Sequence, residues 1–240
     1  IASYAWTKVS GPAAYTIASP ATASTSITGL VQGTYVFRLT VTDNQGATGY
    51  DDVQITVNAA NVAPTANAGA DQTIQLPVNS VTVNGSGTDA DGSIASYAWT
   101  KVSGPATYNI TSPAAASTSI TGLVQGTYVF RLTVTDNQGA TGYDDVQITV
   151  NAANVAPTAN AGADQTIQLP VNSVTVNGSG ADADGSITSY VWTKVSGPAT
   201  YTISNPASAS TSITGLIHGT YVFRLTVTDN QGATGYDDIQ

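Results

Sequence analysis

The 240-residue chain contains no cysteine and no methionine. Without cysteine there is no disulfide, no thiolate nucleophile and no thiolate metal ligand, so stability must come from packing or from a bound cation. Glutamate is missing as well: all 15 acidic residues are aspartate, against three lysines and three arginines, for a net charge of −9. Aspartate suits turns and oxygen-donor loops because its short side chain bonds nearby backbone, whereas glutamate suits helices. An acidic chain without a basic patch is a poor partner for nucleic acid or anionic membrane. No run approaches the roughly 18 apolar residues of a membrane-crossing helix, so no membrane insertion is expected in this segment.

What is present is repetition. Trp6, Trp99 and Trp192 are spaced by 93 residues, and their surroundings repeat with them. Residues 94–153 differ from 1–60 at four of 60 positions, and 154–240 differ from 61–147 at ten of 87. The period divides the chain into a partial copy over 1–60 (the C-terminal two-thirds), a complete copy over 61–153, and a nearly complete copy over 154–240 that lacks its last strand end. This is read as a segment of a longer tandem array. A residue that carries a shared function should recur wherever its position is present. His218, the only histidine, has Gln32 and Gln125 as counterparts, so no histidine triad or zinc site belongs to the repeat.

Strict alternation dominates. In residues 127–136, Tyr128, Phe130, Leu132 and Val134 share one face, while Thr127, Arg131, Thr133 and Thr135 share the other; this is a half-buried strand. Val146, Ile148 and Val150 repeat the pattern, as do Val81 with Val83 and Tyr97 with Trp99. Asn84-Gly85-Ser86-Gly87, Asp91-Gly92, Ser103-Gly104-Pro105 and Asn137-Gln138-Gly139 punctuate the runs as turns. About seven short strands per copy predict an all-β fold: tandem immunoglobulin-like antiparallel sandwiches arranged end to end through the short, proline-stiffened connector 151–157. Trp99 falls where such a core takes a large ring, and Tyr128, two residues before Phe130, fits a tyrosine corner. Asp144 and Asp145 are adjacent on a strand and face opposite ways, which excludes a shared acid–base pair.

Asn61-x-x-Pro64, Ala68-Gly69-x-Asp71, Leu76-Pro77, Asp89-x-Asp91-Gly92-x-Ile94, Ser96-Tyr97-x-Trp99, Ser103-Gly104-Pro105, Gly126-x-Tyr128-x-Phe130-x-Leu132-x-Val134-Thr135-Asp136 and Asp145-x-Gln147-x-Thr149-Val150 together resemble a polycystic-kidney-disease (PKD) domain. The resemblance runs through the whole module. It implies an immunoglobulin-like sandwich of the kind found in arrays on bacterial surface proteins and as accessory modules of secreted hydrolases, and it implies no catalysis.

In that fold the entering linker, the loop after the second strand and the loop after Val134 meet at one pole. Asp89, Asp91 and Asp136 should converge there with Asn61, and Asn154, Asp182, Asp184 and Asp229 form the second set. Of this set only Asp43 survives in the first, partial copy, so within this segment that copy is expected to be metal-free. Clustered carboxylates repel, and calcium, which takes six to eight oxygens in flexible geometry, relieves them. Some bacterial PKD-like domains similarly bind calcium at this pole. The competing reading of Asp-x-Asp-Gly is a plain turn.

The expected function is therefore non-enzymatic: a structural or adhesive repeat segment of a large bacterial surface or extracellular protein, acting as a semi-rigid spacer rod or fibre. Its partners would be neighbouring repeats, with surface glycan or protein engaged at a distant tip and self-association into fibres. The alternative is an accessory carbohydrate-associated module of a secreted polysaccharide- or protein-degrading hydrolase. That role needs exposed aromatics, for which Tyr108 and Tyr143 with Tyr15, Tyr50, Tyr201 and Tyr236 are the candidates.

Overall fold

A computed structural model describes all 240 residues, and every regular element in it is a strand. No helix is long and apolar enough to cross a membrane. The backbone groups into two compact units: Ile1–Ala66 with Gly87–Tyr97 and Thr133–Tyr143, and Asn67–Ser86 with Ala98–Leu132 and Asp144–Gln240.

The complete copy shows why alternation folds as it does. Gly126–Asp136 buries every second residue from Tyr128 onward, and Thr141–Asn151 does so from Val146 to Val150. They lie side by side in a four-stranded sheet ordered Ile94–Ser103, Gly126–Asp136, Thr141–Asn151, Gln72–Gln75. The last pairing is parallel, with Gln72 opposite Ile148 and Gln75 opposite Asn151. A second sheet is ordered Asn109–Ile110, Ser117–Thr121, Val81–Asn84. The inward faces supply Val83, Ile120, Phe130, Leu132 and Ile148, all fully buried. Burial of this kind stabilises by about 25 cal/mol per Å² of apolar surface and is the main force closing the sandwich.

Gly85 shows how tightly the layers fit. A Cβ there would stand 2.5 Å from Leu132 Cδ2 and 2.9 Å from Trp99 Cζ2. The Trp99 indole covers this glycine and donates its N–H to the Ala116 carbonyl at 3.1 Å. The tyrosine corner also forms: the Tyr128 hydroxyl donates to the Thr107 and Val124 carbonyls and accepts the Val124 N–H. Arg131 on the outward face pairs with Asp145 across neighbouring strands at 2.7 Å.

The third copy repeats this core with Trp192, Ile213, Tyr221, Phe223, Leu225, Val227 and Ile239. The first copy keeps the sheet Ser3–Ser10, Gly33–Thr42, Thr48–Val57 and a short pairing of Thr16–Ile17 with Ile27–Thr28. Its residues correspond to 94–153 of the complete copy. Its alternation is intact, but Leu39 and Val41 stay half-buried where Leu132 and Val134 are sealed.

Candidate metal pole

In the first unit, the linker, the Asp89–Gly92 turn and the turn after Asp136 do meet. Asp136 is almost fully buried. Its Oδ1 accepts the backbone N–H groups of Gln138 at 2.8 Å and Ala140 at 2.9 Å, closing the turn on itself. Its Oδ2 accepts the side-chain amide of Asn61 at 2.8 Å and so ties the incoming linker to the sheet. Asp91 accepts the Val62 N–H at 3.2 Å on both oxygens, a second tie to the same linker. Asp89 Oδ1 accepts the Asp91 N–H at 3.4 Å, a long bond. Asn61 and Asp89 are half-buried, whereas Asp91 is exposed.

The second unit builds the same arrangement from its own residues. Asn154 donates to Asp229 Oδ2 at 2.8 Å, Asp229 Oδ1 staples Gln231 and Ala233, and Val155 donates to Asp184. Asp182 takes the place of Asp89. In the first copy Asp43 accepts the backbone N–H groups of Gln45 and Ala47 in the same way.

Sequence reasoning passed over Asn137 and Asn230. Asn137 Oδ1 accepts the Ser93 N–H at 2.9 Å, and Asn137 donates its own backbone N–H to the Ser93 carbonyl, also at 2.9 Å. Asn230 takes the same Ser186 N–H in the second unit. The signal was present: asparagine follows the turn aspartate in all three copies, at Asn44, Asn137 and Asn230.

The carboxylates do not crowd into a ready cage, since no three acidic or imidazole side chains gather closely enough to hold a metal ion. Each pole offers unused oxygens instead. Asn61 Oδ1 and Asp89 Oδ2 are buried without a hydrogen-bond partner, and so are Asn154 Oδ1 and Asp182 Oδ2. A buried acceptor left bare costs about 1–3 kcal/mol, so two at each pole favour anything positive that can reach them. Basic side chains are engaged elsewhere. The arginines hold Asp52, Asp145 and Asp238, and the lysines cap the carbonyls of Gly11 and Pro12, Gly104 and Pro105, Gly197 and Pro198.

Burial pushes the Asp136 carboxyl up, but the Asn61 amide and the backbone N–H groups of Gln138, Ala140 and Gly139 outweigh it and hold the pKa below the ordinary carboxylate value. Asp229 is lowered by the same balance. A carboxyl whose pKa falls on folding adds stability above its unfolded value, near 4, and that stability is lost as pH drops through the folded value. Melting temperature should therefore hold above about pH 5 and decline below about pH 4. The Asp136→Asn, Asp229→Asn double variant should show a shallower decline in calorimetry across that window, and an unchanged acid slope would refute the role given to these two groups.

The tyrosines offered for sugar stacking are partly covered. The Arg38 guanidinium lies 3.8 Å from the Tyr50 ring centroid, and Arg224 lies 3.8 Å from that of Tyr236. Tyr108 packs edge-on against Phe130 beneath the Lys101 ammonium.

A family profile described as "K319L-like, PKD domain" matches residues 1–57, 68–150 and 161–240. The mouse Dyslexia-associated protein KIAA0319 homolog is 37% identical over 236 residues, covering 97% of this chain and 22% of that protein. The mouse Dyslexia-associated protein KIAA0319-like protein is 37% identical over 246 residues, covering 100% of this chain and 23% of its own length. The chain thus spans about a fifth of the length of the curated relatives it matches. Both are mammalian, and they lend no support to the bacterial source expected from the sequence. Among solved structures, mouse cadherin-23 EC22-24 is similar in fold alone, with a TM-score of 0.52 over 98% of this chain and 84% of that one at 12% identity.

Proposed function

Because this chain belongs to the K319L-like PKD domain family, we propose that it is a non-enzymatic repeat segment of a larger extracellular protein, serving as a spacer whose poles are set by calcium. The observation that carries this reading is how the charged side chains are used. Aspartates staple turns and linkers, arginines bridge strands, and lysines cap turn carbonyls, and the same assignments recur from copy to copy. No nucleophile with an adjacent base recurs among them, which is the pattern of a scaffold and not of an active site. A spacer gains reach by repeating a module, and near-identical copies serve that end without new chemistry.

Calcium enters through the bare oxygens. Asn61 and Asp89, with Asp91 beside them, would hold it at one pole, and Asn154, Asp182 and Asp184 at the other. Asp136 and Asp229 keep the frame in place by binding N–H groups. When bound, the cation supplies charge neutralisation and ties the linker to the Asp-x-Asp turn, and it performs no chemistry on a substrate. Extracellular calcium modules bind at about 10⁻⁴–10⁻³ M. At 100-fold excess over the dissociation constant, one site adds about 2.7 kcal/mol.

Calcium titration of the apo chain should raise the melting temperature by several degrees. EDTA should reverse the rise, and the Asp89→Asn, Asp182→Asn double variant should lack it. Small-angle scattering in the same titration should report a maximum dimension that becomes better defined as calcium is added. A melting temperature indifferent to calcium and chelator would reduce the poles to plain turns and sink the calcium part of the proposal.

A further inference from the structure

The second and third copies meet through a small ring of contacts whose members all belong to the second compact unit. The ring starts at the turn Gln75-Leu76-Pro77-Val78, closed by the Val78 N–H donating to the Gln75 carbonyl at 3.0 Å. The Leu76 N–H donates to the Asn151 carbonyl at 3.2 Å and fixes where the connector leaves the second copy. Asn154 fixes where the connector enters the third, through its side-chain hydrogen bond to Asp229. The other oxygen of Asp229 holds the Gln231 N–H at 2.8 Å. The ring closes where the Gln75 side-chain amide donates to the Gln231 side-chain oxygen.

Each link has a physical reason. Pro77 restricts its own φ and stiffens the turn that presents Gln75. With Asn151 and Asn154 held, only Ala152 and Ala153 lie between them, which leaves about four soft backbone dihedrals. So short a tether keeps the two exposed glutamines at high effective concentration, and a bond too weak to join separate molecules forms within one. Beside that bond lies an open crevice of about 510 Å³ walled by Leu76, Pro77, Val78, Ala153 and Asn154. Val78 in its wall is 55% exposed, so apolar burial does not seal this side of the joint, and a polar contact spans it instead. Both partners recur in the repeat: Gln168 is the counterpart of Gln75, and Gln45 and Gln138 are the counterparts of Gln231.

We infer that Gln75 and Gln231 are a latch between adjacent copies, a specific contact surface that fixes the angle of the third copy on the second. Asp229 positions it, because one carboxylate orients the connector through Asn154 and the latch through Gln231. The latch uses none of the bare oxygens, Asn154 Oδ1 and Asp182 Oδ2, and therefore holds with or without a cation at that pole.

Pulsed electron spin resonance, which reads the distribution of distances between two nitroxide labels, tests this. The chain has no cysteine, so labels attach only at Val102→Cys and Val195→Cys, both 51% exposed in the parent chain and one in each copy. In EDTA, which keeps the outcome separate from calcium binding, the labelled chain should give one narrow peak. Gln75→Ala and Gln231→Ala should each broaden it about twofold or more as the tether alone is left to hold the joint. The Gln75→Glu, Gln231→Lys double variant should restore the narrow peak at low salt and lose it at high salt, because an exposed ion pair is screened. The Gln75→Glu, Gln231→Glu double variant should stay broad at low salt. A broad peak with both glutamines in place, a width indifferent to the alanine variants, or a low-salt Gln75→Glu, Gln231→Lys peak as broad as that of the Gln75→Glu, Gln231→Glu variant each overturns the inference.

Discussion

Gly142→Ala and Gly235→Ala should each destabilise the chain by about 3 kcal/mol or more, while Gly49→Ala, the same substitution in the first copy, should be silent. A Cβ on Gly142 would stand 2.0 Å from the Pro64 carbonyl oxygen, and one on Gly235 would stand 1.9 Å from that of Pro157. No rotamer relieves such an overlap, because the obstacle is backbone and Pro64 and Pro157 are themselves buried. The entering segment would have to lift off the sheet, taking with it the Asn61–Asp136 and Asn154–Asp229 ties. Gly49 has no such neighbour, since its Cβ would meet only Val41 Cγ2 at 3.9 Å. Thermal melts of the three single variants decide the matter. A drop of equal size at Gly49 would show that strand propensity, not the carbonyl contact, sets the cost.

The second large effect concerns the tryptophans. Trp99→Ala and Trp192→Ala should each cost about 3–5 kcal/mol, the usual range for deleting a large buried ring. Both rings are 2% exposed, and both indoles donate to backbone carbonyls, Ala116 for Trp99 and Ser208 and Ala209 for Trp192. Trp6→Ala should cost markedly less. Trp6 is half-buried and its Nε1 has no hydrogen-bond partner. Calorimetry on the three variants should show this ordering, and a Trp6 variant as damaged as the Trp192 variant would contradict it.

The strands were legible because period-two burial is written directly into the sequence. Tyr128, Phe130, Leu132 and Val134 had to share a face, and a face with that much apolar surface had to meet a second layer. Trp99 and the Tyr128 corner were legible for a related reason: a large ring or a buried hydroxyl has few places to go in a sandwich. Asp136 was legible as a member of the pole, but its stapling of the turn was not: the Gln138, Ala140 and Asn61 N–H groups that it accepts are fixed by the fold and not by turn-rich composition. Asn137 was missed because its partner, Ser93, is 44 residues away and local turn chemistry does not point to it.

The staple at Asp136 also bears on how near-identical copies avoid confusing one another. Gly126–Asp136 and Thr141–Asn151 are joined by only four residues, and Asp136 fixes that junction through atoms two and four positions ahead of it. A strand with an almost identical partner 93 residues further along the chain could in principle pair with either. Closing a loop longer by that interval costs about 3 kcal/mol more in chain entropy. Proximity in sequence therefore sorts like from like as the polypeptide emerges, before distant copies can compete.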